Sequence, residues 1–139
     1  MLKLIGGVIV GLVVGVGTMI IVQLIGNQIY PTGEVDMRDR EAVAAMIAAL
    51  PTGGLLFVAA AWFIGALAGA TVAYRISGRR GAAWTIGVLI AAAGILNVFM
   101  YPHPVWMQVA AVVAPLLGAW VASRLTPAPE PAALRTDAP

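Results

Sequence analysis

Three long stretches of this chain carry no formal charge. None lies between Lys3 and Glu34, between Glu41 and Arg75, or between Arg80 and Arg124, which leaves uncharged runs of 30, 33 and 43 residues. A helix rises about 1.5 Å per residue, so crossing the roughly 30 Å hydrocarbon core of a bilayer takes about 20 apolar residues. The first two runs hold one such span each, and the third holds two, divided by Tyr101-Pro102-His103-Pro104. Charged residues make up 10% of the chain, against roughly 25% in a soluble domain. The pattern excludes an ordinary soluble domain, a disordered chain and a nucleic-acid binder. It predicts an all-α fold, a four-helix transmembrane bundle of two hairpins. The spans are expected at about 4–29, 51–74, 82–100 and 105–123, in a single membrane domain over 1–125.

Prolines mark the ends. A residue before proline is pushed out of the helical region, so Tyr30-Pro31 and Tyr101-Pro102 should close spans one and three. Residues 126–139, with Pro127, Pro129, Pro131 and Pro139, predict a Pro-rich disordered cytoplasmic tail. The apolar run after Lys3 extends from Leu4 to Ile25 without an Ala-x-Ala site. It is longer than the roughly 7–15 residues of a signal-peptide core, so a retained helix is expected.

Charge asymmetry sets the orientation. Lys3, Arg75, Arg79, Arg80, Arg124 and Arg135 fall on one side of this topology; the other side holds only Arg38 and Arg40, beside Glu34, Asp36, Asp39 and Glu41. Cations concentrate on the cytoplasmic side of membrane proteins. Both termini are therefore expected in the cytoplasm of a bacterial cell, with the chain multi-pass in the inner membrane and the first loop outside.

That loop contains its own helical signal. Asp36 is a candidate cap, Asp36 and Arg40 form an i,i+4 pair, and Val43, Met46, Ile47 and Leu50 make one apolar stripe. An interfacial amphipathic helix over 37–50 is expected, serving as a connector, as a lid over a site, or as a docking surface for a partner.

Within the spans, small residues recur at helical spacing: Gly7, Gly11 and Gly15; Ala61, Gly65, Gly69 and Ala73; Gly87, Ala91 and Gly94. Such a glycine zipper lets helix backbones approach closely in lipid, within one chain or between copies. Polar residues are few, and they collect toward the outer end: Gln23, Asn27 and Gln28 in span one, Asn97 in span three, His103 in the turn, and Gln108 in span four. If Gln23 and Asn27 face inward they could meet Asn97 in a small polar ligand pocket, with His103 and Gln108 nearby. The alternative is interhelical hydrogen bonding or solvation at the interface. His103 has only Asp36, Asp39 and Glu41 as acid partners on its side. Tyr30, Tyr101 and Trp106 suit one membrane interface and Tyr74 and Trp84 the other; Trp62 lies near mid-depth. Pro115 falls in the middle of span four, where a kink is expected.

The absences narrow the chemistry. The chain has no cysteine and one histidine, which excludes thiolate metal sites and bis-histidine haem ligation within one chain. No Asp or Glu lies in a span, so the carboxylate expected of a proton-driven exporter is missing. No cofactor is expected.

The combination of Tyr30-Pro31, an acidic loop helix, Leu50-Pro51, Ala61-Trp62 with Gly65 and Gly69, and Tyr101-Pro102-His103-Pro104-Val105-Trp106 resembles small four-helix membrane proteins of GC-rich bacteria. The likeness extends over about residues 1–125 and implies architecture without an activity. Small multidrug exporters differ in carrying a glutamate in their first helix. The functional expectation is a non-enzymatic structural or accessory membrane subunit that packs against itself or a larger complex. A small oligomeric transporter or channel with an outward-facing polar vestibule is the alternative, and a lipid, quinone or cofactor binder a further one.

Overall fold

A computed structural model of the chain describes residues 1–127. Among the described residues the fold is entirely helical: α1 (Leu2–Ile29), α2 (Arg40–Ala49), α3 (Thr52–Ser77), α4 (Arg80–Met100) and α5 (Val105–Leu125). Four of them, all but α2, are long and apolar enough to cross a membrane. The expected tail lies almost wholly beyond residue 127, outside the described residues.

The helices stop where local chemistry stops them. Tyr30 and Tyr101, each before a proline, take non-helical conformations (φ −124°, ψ 75° and φ −134°, ψ 142°) while still donating their N–H groups to Gly26 and Asn97. Gly78 closes α3 with φ 69°, a left-handed cap that glycine adopts without strain. The helices run past the expected spans, α3 to Ser77 and α4 back to Arg80. A helix need not end where the bilayer does, because a terminal arginine reaches toward water along its own stem.

Glycine decides how the long helices meet. Gly7 lies against Ala73 and Ser77, Gly11 against Gly69 and Ala73, and Gly15 against Gly65, so α1 runs antiparallel to α3. A Cβ on Gly11 would come 2.6 Å from the Gly69 carbonyl oxygen, and one on Gly69 would come 2.5 Å from the Gly11 carbonyl oxygen. The two backbones pack against each other with no room for a side chain between them. The other face of α3 meets α5 at Gly118, whose Cβ would lie 2.5 Å from the Phe63 carbonyl oxygen. Antiparallel α4 and α5 meet at Gly87 with Ala119 and at Gly94 with Ala111. Pro115 has no N–H to offer the Ala111 carbonyl one turn back. That carbonyl faces Gly94, where an added Cβ would come within 2.8 Å.

The four long helices are not equivalent. Only 11% of the most apolar window of α1 is buried, against 33–39% in the other three. α3 is central, touching α1, α4 and α5, whereas α1 packs mainly on α3. The core has two parts. One joins Ala66, Ala70, Ala73, Ala82, Ala83, Ile86 and Ala119. The other joins Val43, Ile47, Leu55, Trp62, Met107 and Ala111. Trp62 finds its packing partners here. Tyr74 belongs to the first cluster and is only 4% exposed, which corrects its expected place in an interfacial belt: its position on α3 turns it toward the other helices. Trp84 and Trp106 stay exposed.

α2 also departs from expectation. It starts at Arg40, and its cap is Asp39, whose Oδ1 accepts from the N–H groups of Glu41 and Ala42. Asp36 instead accepts from the Arg38 N–H in a separate turn. Both acids have the right chemistry. Val43 and Ile47, one turn and two turns into the helix, are buried in the second core cluster. Arg40 does not need Asp36: its guanidinium donates to the Met100 carbonyl at 2.8 Å, at the C-terminal end of α4, where the helix dipole favours a cation. Replacing Asp39 by alanine should destabilise α2 by about 1 kcal/mol, seen as faster amide exchange across α2 with α3 unchanged.

Candidate functional site

The site begins at the last two turns of α1. Gln23 and Asn27, one turn apart, share a face. Asn27 is fixed by the chain that follows it: its Oδ1 accepts from the Thr32 N–H at 3.2 Å and the Thr32 hydroxyl at 2.9 Å. The fold-back from Tyr30 to Thr32 is held by these bonds, and the amide nitrogen of Asn27 keeps its two donors.

Opposite stand the first turns of α3. The α1–α3 contact that is backbone on backbone at Gly11 changes character here. Gly26 faces the Phe57 side chain, whose Cβ and ring would sit 2.9 Å from an added Cβ. Phe57 in turn meets Tyr30, with ring centroids 6.1 Å apart and planes tilted by 59°. Beside this contact lies a cleft of about 320 Å³ lined by α1 (Ile20, Gln23, Leu24, Asn27), Tyr30 and Thr32, α3 (Phe57, Val58) and, from α2 and its end, Met46 and Leu50. A second recess of about 280 Å³ adjoins it across Tyr30, Thr32, Met46 and Leu50.

Of the five residues expected to form one polar pocket, the structure brings together only Gln23 and Asn27. Asn97 is exposed on α4, and α4 touches α1 only sparsely. The separation has a physical cause. Gly11 and Gly69 seat α1 on one side of α3, whereas Gly87 and Gly94 draw α4 onto α5. His103 and Gln108 form their own local pair. The His103 Nδ1 lies 2.8 Å from the Tyr101 carbonyl, which makes Nδ1 the protonated nitrogen, and Gln108 Nε2 donates to the His103 carbonyl at 3.0 Å. These bonds brace the Pro102–Pro104 turn. Two of the acids expected as partners of His103 bond backbone N–H groups instead, Asp36 to Arg38 and Asp39 to Glu41 and Ala42.

The residues that complete the cleft are Tyr30, Thr32, Met46 and Phe57. Thr32, five residues after Asn27, carried a readable signal as a side-chain partner beyond a helix end. Phe57 carried none, because its role depends on which helix faces α1. Among the described residues no group of three or more His, Cys, Asp or Glu comes together to hold a metal. Three threonine hydroxyls in the long helices bond within their own helix. The hydroxyls of Thr18, Thr71 and Thr85 each donate to the carbonyl four residues earlier, at 2.7–2.9 Å.

No protein-family model, curated protein or solved structure matches this chain.

Proposed function

We propose that the chain is a small integral membrane protein of the bacterial inner membrane, a four-span bundle of two hairpins with both termini cytoplasmic, acting as a non-enzymatic structural or accessory subunit. The observation that carries this reading is the closed, apolar interior. Ala66, Ala70, Ala73, Ala82, Ala83 and Ala119 are fully buried between the helices, and the polar side chains Gln23, Asn27, Asn97 and Gln108 are exposed rather than aligned along a passage. A transport path would need hydrogen-bonding groups across the span; here the helix contacts are made by glycine and alanine.

In support, antiparallel packing collects Lys3, Arg75, Arg79, Arg80 and Arg124 at the ends of helices that meet on one side of the bundle. The acidic loop and α2 lie at the opposite end, tied to α4 by Arg40. Partners are the lipid bilayer and, through exposed α1, a second copy or a larger membrane complex. α1 presents Ile5, Ile9, Val13, Val16, Ile20 and Leu24 outward.

Proteoliposomes test the reading. Those containing the purified protein should retain potassium, protons and a trapped anionic dye as tightly as protein-free vesicles. Native mass spectrometry from nanodiscs should report one defined assembly. Solute flux that falls on substitution of Gln23 or Asn97 by leucine would overturn the proposal in favour of a transporter or channel.

A further inference from the structure

The cleft between α1, α2 and α3 has the features of a lipid-ligand site. We propose that it takes a single-chain amphiphile from the bilayer whose head is uncharged and presents a hydrogen-bond-accepting oxygen, such as a long-chain alcohol or a quinone. The inference rests on the membrane reading above. It goes beyond it in assigning a ligand to a particular site.

Four observations converge. First, the cleft follows from the packing. α1 and α3 touch through backbone at Gly11 and Gly69, whereas at Gly26 the contact is with the Phe57 side chain, and α2 roofs the space beside it with Met46 and Leu50. Second, at about 320 Å³ it lies at the lower end of the roughly 300–1,000 Å³ of small-molecule sites. That suits a head and its first carbons, with the rest of the chain lying along α1. Third, the wall is divided. Ile20, Leu24 and Val58 are apolar, whereas Gln23 and Asn27 present amides on one helical face. Asn27 spends its oxygen on Thr32 and has only donors left, so the complementary head offers an acceptor. Fourth, no charged side chain lines the cleft. A phosphate or carboxylate there would lose hydration without a counter-charge, a cost of several kcal/mol, which selects a neutral head.

The test uses the full chain in phosphatidylcholine nanodiscs and a long-chain alcohol with a diazirine beside its hydroxyl; the same chain ending in phosphate is the comparison. After irradiation, crosslinks are mapped by peptide mass spectrometry. The alcohol should label segments 20–27 and 54–58 saturably, with competition by hexadecanol, and the phosphate probe should not. Gln23→Leu should weaken the saturable labelling about five- to tenfold, the worth of one hydrogen bond in lipid. Val58→Trp, which fills the cleft and leaves both amides in place, should abolish it. If that variant misfolds, Gln23→Leu decides, because its exposed position makes the change harmless to packing. Labelling that never saturates and spreads evenly over Val88, Leu96 and Phe99 of α4 would overturn the site while leaving the membrane reading standing. Absence of label on every helix would overturn both.

Discussion

Gly118→Leu should destabilise the whole helical core. A Cβ at this position would lie 2.5 Å from the Phe63 carbonyl oxygen, 3.0 Å from the Leu67 nitrogen and 3.1 Å from the Ala66 Cβ. Two of these three neighbours are backbone atoms of α3, which cannot rotate away, so relief requires α5 to move off the central helix. Overpacking costs about 1–3 kcal/mol in well-packed interiors, and the rigidity of both surfaces puts this case at about 3 kcal/mol or above. The expected result is a lower midpoint for every probe of structure at once during denaturation in detergent. Gly17→Leu is the control. A Cβ there meets nothing within 4 Å, so that variant should be at least as stable as the parent.

Gly11→Leu should have an equally large but local effect. Its added Cβ would sit 2.6 Å from the Gly69 carbonyl oxygen and 2.8 Å from the Ala73 Cβ, so α1 and α3 must part. Because α1 packs mainly on α3, and 89% of its most apolar window is not buried, its departure leaves the α3–α4–α5 contacts in place. Spin labels on cysteines at the exposed positions Ile9 and Ile76 should show a narrow distance distribution in the parent and a broad one in Gly11→Leu. Labels on α4 and α5 should be unaffected. Equal loss of order in all helices would show that α1 is integral to the core. In α1 the spacing of four picks out the constrained glycines, since Gly7, Gly11 and Gly15 all meet α3. Gly6 and Gly17 lie in the same helix as Gly11, yet both face open space.

This contrast shows which parts of the structure the sequence made legible. The long apolar helices were readable because an uncharged run of that length has few other stable forms, and the Tyr-Pro pairs located two of their ends because proline acts on its immediate neighbour. Information spanning helices was not readable. Nothing in the spacing of Asn97 says that α4 packs away from α1; that depends on which glycine surfaces pair. Asp36 was the expected cap of α2, but Asp39 caps it and Asp36 holds a separate turn. Tyr74 looked like an interfacial residue by depth, but its direction around α3 buries it. In the candidate site, Gln23 and Asn27 were legible as polar residues on one face of an apolar helix. Their surroundings, Phe57 and the roof from α2, depend on tertiary packing alone.

In the proposed topology four spans cross the membrane and the basic end faces the cytoplasm. The chain has no native cysteine, so single cysteines report cleanly. Met37, in the acidic loop, is exposed, and Gly81, at the start of α4, is exposed with room for a side chain. In intact bacterial cells a membrane-impermeant maleimide should label Met37→Cys at once, and Gly81→Cys only after the membrane is permeabilised. Labelling of Gly81→Cys from outside, or of both positions from the same side, would overturn this topology.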